Sequence, residues 1–213
     1  MAIAAGLMPP PTDASSSTPG FLSGITPYKL TIDQYMRISE KQILTDNDRR
    51  FELLDGIIVE TMTKGAPHDF VVSQLGEVFR LVLPSHMSIR EEKTLTLGEY
   101  WCPEPDLIVV FGRNSEFRQR HPIGGEVAMI IEVSDSTYLK DRGGKWIGYA
   151  GARLPVYWIV RLETGSVEVY TDPCGKEETA YYQNMTTYSI GESVPIQIGG
   201  RDIASIPVEE ILA

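Results

Sequence analysis

Two apolar runs constrain this chain more than anything else in it: PDLIVVF at 105–111 and VAMIIEVS at 127–134. Both are too continuous in aliphatic and β-branched residues to leave one face wet, and strands of that kind are covered on both sides. The chain must therefore build layers on two faces of a sheet. Yet each run carries a carboxylate, Asp106 at the mouth of the first and Glu132 between Ile131 and Val133 in the second. Placing an ionised carboxylate in an apolar interior costs on the order of several kcal/mol unless a partner or a metal compensates it.

The remaining elements fall around these strands. Thr31 precedes IDQYMRISEKQIL as a plausible N-cap for a short amphipathic helix. FELL and IIVETM, joined by Asp55-Gly56, read as a hairpin with a type I′ turn. HDFVVSQLGEVFRLVL carries Phe70, Val71, Leu75, Val78, Phe79 and Val82 on one stripe, as a helix packed on a sheet does. SIREEKTLTLG reads as a strand whose Arg90-Glu91-Glu92-Lys93 suits a solvated edge. Tyr138 to Leu154 reads as a helix despite Gly143 and Gly144. LPVYWIVR, SVEVYTD and ETAYYQN are further strands, and IPVEEIL a last short helix. The order implies an α/β (α+β) fold, a central mixed β-sheet flanked by helices with an N-terminal helix and β-hairpin. Residues 1–27, rich in Pro, Ser and Thr, read as a flexible tail, and 28–213 as one domain.

A formal charge of -10 argues against broad adhesion to a polyanion, because such affinity is built from Lys and Arg. A nuclease stays open, since a metal site brings its own positive charge. Cys102 and Cys174 lie far apart and outside any CxxC spacing, which points to a reducing, cytoplasmic setting without a zinc site. No stretch has the length and apolarity of a membrane span.

Alternation along a strand puts Ile130, Glu132 and Ser134 on one face, so Glu132 addresses a single layer. On neighbouring strands Asp106 and Glu132 would meet, and two adjacent carboxylates need a shared proton or a cation between them. Mg²⁺ (or Mn²⁺) suits hard oxygen ligands of this sort, with the Val133 carbonyl as a third donor. Downstream, Asp141, Lys145 and Tyr149 recur at i, i+4 and i+8, along one face of the following helix. Packed against the sheet, that face would bring the Lys145 ammonium to the acids.

The ordered set of Pro105-Asp106, Glu132-Val133-Ser134, then Asp141, Lys145 and Tyr149, ending in LPVYWIV, resembles the PD-(D/E)xK nuclease superfamily and, more closely, its restriction-endonuclease-like Uma-two-type branch. The match runs from about Tyr28 to Tyr170 and includes FELLDGIIVE and a Pro67-His68 element before a long helix. The resemblance implies a restriction-endonuclease-like fold, metal-dependent hydrolysis of DNA, Asp106 and Glu132 as the metal-binding acids, and Glu52 and His68 at further polar positions. Where the superfamily expects a lysine, two residues after Glu132, this chain has Ser134. In the resembled branch the lysine sits on the helix, which matches Lys145, with Lys140 a nearby competitor. A homodimer would address both strands of a duplex, by analogy with the family.

Each residue has a plainer use. Glu132 could answer a buried Arg or backbone donors, Asp106 could be a turn residue after proline, and Lys145 could pair with Asp141 on a helix surface. Glu52 could be a solvated hairpin residue and His68 an ordinary helix-start residue, while Tyr149, Trp146 and Trp158 read most simply as packing. Arg113, Arg118, Arg120 and His121 could form a solvated loop or touch phosphates. The chief functional reading is a metal-dependent DNA endonuclease using Asp106, Glu132, Lys145, Glu52 and His68. Its alternatives are a catalytically inactive nuclease-fold module that binds nucleic acid or protein, and a metal-independent hydrolase using the two acids as an acid/base pair.

Overall fold

At the centre of the computed structural model, β4 (Leu107–Phe111) lies antiparallel to β5 (Val127–Ser134), and all eight residues of β5 are buried. The structure describes residues 26–44, 49–61, 64–135 and 137–212. Six strands form the main sheet in the order β3-β4-β5-β6-β7-β8, where β3 is Met87–Glu91, β6 Val156–Arg161, β7 Ser166–Cys174 and β8 Tyr181–Ser189. Within this sheet only β5 and β6 run parallel. A parallel pair needs a crossover, and the chain makes it through α3 (Tyr138–Lys140), a π-helical turn (Asp141–Lys145) and α4 (Trp146–Gly151).

One face of the sheet is covered by α2 (Ala66–Val82), by α5 (Val208–Leu212) and by the hairpin of β9 (Ser193–Ile198) and β10 (Arg201–Pro207). Val71, Leu75 and Phe79 of α2 pack there with Met129, Ile131, Val133 and Trp158. The opposite face buries Trp146 and Tyr149 against Ile130, Tyr157, Tyr170 and Tyr182. The apolar central strands are thus covered on both sides, as their composition requires.

Upstream, α1 (Ile32–Glu40) starts from a capping box in which Thr31 and Gln34 satisfy each other's backbone amides. It packs on a separate two-stranded sheet of β1 (Arg50–Leu54) and β2 (Ile57–Thr61). The turn between them has Asp55 at φ 52° and Gly56 at φ 78°, both left-handed as a type I′ turn demands. Leu53 pairs with Cys102 by mutual backbone bonds, fastening this unit to the segment that enters β4.

Five expectations change, two of them at boundaries: β3 ends at Glu91 rather than running to Gly98, and α1 ends at Glu40 rather than Leu44. Phe70 lies off the apolar stripe of α2 at 48% exposure; Val72 takes its place inside, because the stripe follows Val71, Leu75 and Phe79. The crossover is not one α-helix from Tyr138 to Leu154: a π turn interrupts it and it stops at Gly151. The β9–β10 hairpin was not anticipated. Of the expected tail, residues 1–25 lie outside the described residues. Both cysteines are free, and no described helix is long and apolar enough to cross a membrane.

Candidate active site

The register Leu107↔Ile131 sets Asp106, one residue ahead of β4, beside Glu132 on β5. Asp106 is held there by its neighbour strand: the Val133 amide donates to Oδ2 at 2.7 Å. Ser134 turns its carbonyl the other way, to the Leu162 amide at 3.0 Å. Backbone groups alternate sides along a strand, so the Val133 carbonyl points with its amide toward Asp106, past the end of β4. Two carboxylates and one main-chain carbonyl therefore face the same cleft, whose lining includes Asp106, Glu132 and Val133.

The helical crossover supplies the positive charge. Lys145 Nζ lies 2.8 Å from Glu132 Oε1 and 3.0 Å from Glu52 Oε1, at the floor of the cleft. Tyr149 donates its hydroxyl to the same Glu132 Oε1 at 2.7 Å, so neither donor engages Oε2. Glu52, 1% exposed, also accepts from the Glu104 amide at 2.8 Å and from Lys140 Nζ at 2.6 Å. Both candidate lysines reach the cleft, but only Lys145 touches Glu132.

The π turn explains how a lysine becomes interior. Such a turn carries one extra residue and shifts the helical face that follows it. Asp141 is turned away from Lys145 and accepts instead from Ser134 Oγ at 2.6 Å and Thr137 Oγ1 at 2.7 Å. The surface i,i+4 pair of Asp141 with Lys145 is not made. Tyr157 on β6 donates to the Asp141 carbonyl at 3.0 Å, tying the turn to the sheet. Tyr149 proves to be more than packing, and the solvated reading of Glu52 fails because its carboxylate is buried beneath two lysines.

The other wall comes from the start of α2. His68 Nε2 lies 3.2 Å from Asp106 Oδ1, and Lys64 Nζ lies 2.5 Å from the same oxygen. Lys64 also bonds Glu92 Oε1 at 2.8 Å. Lys64 was not foreseen, since it precedes the N-cap Gly65 of α2 and no helical spacing links it to His68. Arg113, Arg118, Arg120 and His121 do not line the cleft. Arg120 is taken up by Glu126 at 2.6 Å and by the Phe117 ring.

Charge balance among these buried groups moves the ionisations. Burial pushes the Glu132 carboxyl up to about 8, with Asp106, Asp141 and Glu52 adding to the rise against the pull of Lys145. Burial opposes the charge on Lys145 too, yet Glu132 and Glu52 hold its ammonium well above the usual range. For Glu52, burial loses to Lys145 and Lys140, and its carboxyl sits below the ordinary value. Asp106 is likewise lowered despite burial, by His68 and Lys64, and His68 is raised in return. Among the described residues, no three His, Cys, Asp or Glu side chains form a metal cage.

Comparisons with known proteins agree with this architecture. A family model described as "Uma2: Putative restriction endonuclease" matches residues 32–204. Among solved structures, the chain is similar to one titled "Crystal structure of a putative nuclease belonging to DUF820 from Anabaena variabilis ATCC 29413". The TM-score is 0.58 and the identity 16%, over 86% of this chain and 97% of that one, a likeness of fold. No curated protein matches. The family match takes in every element that sends a side chain into the cleft, from β1 to α4, and the chain belongs to the Uma2 restriction-endonuclease-like family.

Proposed function

We propose that the chain is a divalent-metal-dependent endonuclease that hydrolyses DNA phosphodiester bonds, with Mg²⁺ or Mn²⁺ held by Asp106, Glu132 and the Val133 carbonyl. One observation carries this reading: Glu52, His68, Asp106, Glu132 and Lys145, drawn from five separate places in the sequence, line one cleft. Hard oxygen donors in small number suit Mg²⁺, which keeps other positions for water and phosphate. A bound cation would favour the ionised form of Glu132 over the protonated form that burial favours.

When bound, the metal supplies Lewis-acid polarisation of a phosphoryl oxygen and a more acidic water. The chain's own groups do the positioning. Lys145, kept protonated by Glu52 and by the ionised form of Glu132 that a bound cation favours, is a fixed positive charge toward which the developing charge of a phosphoryl transition state can be directed. It is not a proton acceptor. Together with Tyr149 it orients Glu132 by one oxygen, while Glu52 holds Lys145 and Lys140 in place. His68 and the Val133 amide fix the two oxygens of Asp106.

Incubation of supercoiled plasmid with the purified protein and Mg²⁺ or Mn²⁺ tests this directly. Wild type is expected to nick or linearise it, and Asp106→Asn to lower the rate by about 100-fold or more with an unchanged circular dichroism spectrum. Folded wild type that leaves plasmids and oligonucleotides intact under both metals would instead support the inactive module. A two-fold dimer would offer two clefts to antiparallel strands, and sedimentation equilibrium measures whether one forms.

A further inference from the structure

Lys64 occupies a position that the catalytic reading leaves unexplained. Its ammonium sits on Asp106 Oδ1, an oxygen on the cleft side of a residue 4% exposed. It comes from the segment leading into α2 rather than from the packed core, and its side chain is 23% exposed where that of Lys145 is 4%. It also has a second partner within reach of the same nitrogen, Glu92 Oε1 at 2.8 Å, an oxygen that otherwise meets only the more exposed Arg50, at 3.4 Å. Lys145, by contrast, is pinned between two buried acids and has nowhere to go.

Resting on the metal-dependent reading above, we infer that Lys64 is the displaceable counter-ion of Asp106: its ammonium neutralises that carboxylate in the metal-free protein, and gives way to the divalent cation by withdrawing onto Glu92. Lys64 is thus a positioning residue that, together with His68 on the same oxygen, compensates the buried charge of Asp106 before the metal arrives. Such a role sets the metal affinity below what the oxygen ligands alone would give, because binding must first break a charge-assisted hydrogen bond.

Calorimetric titration of Mn²⁺ alone into wild type, Lys64→Met, Lys64→Arg and Lys140→Met tests this at constant ionic strength. Lys64→Met is expected to bind about 10- to 100-fold more tightly than wild type, the equivalent of one charge-assisted hydrogen bond. Lys64→Arg is expected to stay nearer to wild type. Lys140→Met removes the same charge from the same cleft but from Glu52, and is expected to change affinity less. Equal gains in Lys64→Met and Lys140→Met would reduce the effect to cleft charge and overturn the inference. So would unchanged or weaker binding in Lys64→Met, or no binding in either it or wild type. Plasmid cleavage by wild type is scored separately, so an inactive protein whose Lys64→Met variant gains affinity would sink the nuclease reading alone.

Discussion

Lys145 joins the two acids that are hardest to leave alone, so its removal has a sign that depends on pH. Lys145→Met strips Glu132 down to the Tyr149 hydroxyl and Glu52 down to Lys140 and an amide. At pH 8 the loss of a buried ion-pair partner should cost about 3–5 kcal/mol in urea unfolding. At pH 5 the cost should shrink, because Glu132, already raised by burial, can take up a proton instead of remaining a bare charge. The same raised carboxyl predicts proton release on metal binding. Below about pH 8 Glu132 holds a proton that the cation must expel, so Mn²⁺ affinity should climb from about pH 6 and level off above the titration. Titrations at pH 7 in two buffers of different ionisation enthalpy should give different apparent heats for wild type. A Glu132→Gln variant should abolish binding, and buffer-independent heats in wild type would contradict the assignment. Asp106, Glu132 and Lys145 were legible because charge on an apolar strand, or spaced along a helix, is conspicuous in sequence. Lys64 was not, because a lysine in a Thr-Lys-Gly-Ala-Pro loop is ordinary until the fold sets it over Asp106.

At the scale of elements, the crossover α4 is held close to the loop before β4 by an absence. A Cβ on Gly148 would stand 2.3 Å from the Trp101 ring, too close for any side chain without moving that rigid indole or the helix. Gly148→Ala is therefore expected to destabilise by about 1–3 kcal/mol, the usual range for overpacking, measured by the urea midpoint. Because Lys145 and Tyr149 flank this contact, the substitution should also lower cleavage; an unchanged midpoint would show that Trp101 yields freely. Periodicity located the hairpin, α1, α2 and the central strands, since their patterns arise from local geometry. It failed at the π turn, where one extra residue breaks the i,i+4 rule and sends Asp141 and Lys145 to different partners. It also failed at Phe70, whose apolar character meets solvent rather than the sheet.

For the whole molecule, acidity and the proposed action on nucleic acid are reconciled by place. The net charge of -10 belongs to the entire surface, whereas Arg50, Lys64 and Lys140 line the cleft. With so few cations available for phosphate, DNA binding by Asp106→Asn should weaken only gently with salt, at a log–log slope of about -2 to -3. A slope much steeper, read by fluorescence anisotropy between low and moderate NaCl, would reveal a larger basic footprint elsewhere. The hairpin that carries Glu52 is paired outside the main sheet, and its carboxylate meets Lys140 across 88 residues of sequence. Seen from the ribosome, this separation is a safeguard: Glu52, Lys64 and His68 emerge first, Asp106 and Glu132 later, and Lys145 last. A chain interrupted anywhere before the crossover lacks the ammonium that joins the two halves, so a fragment released early in synthesis would carry the acids without the assembled cleft.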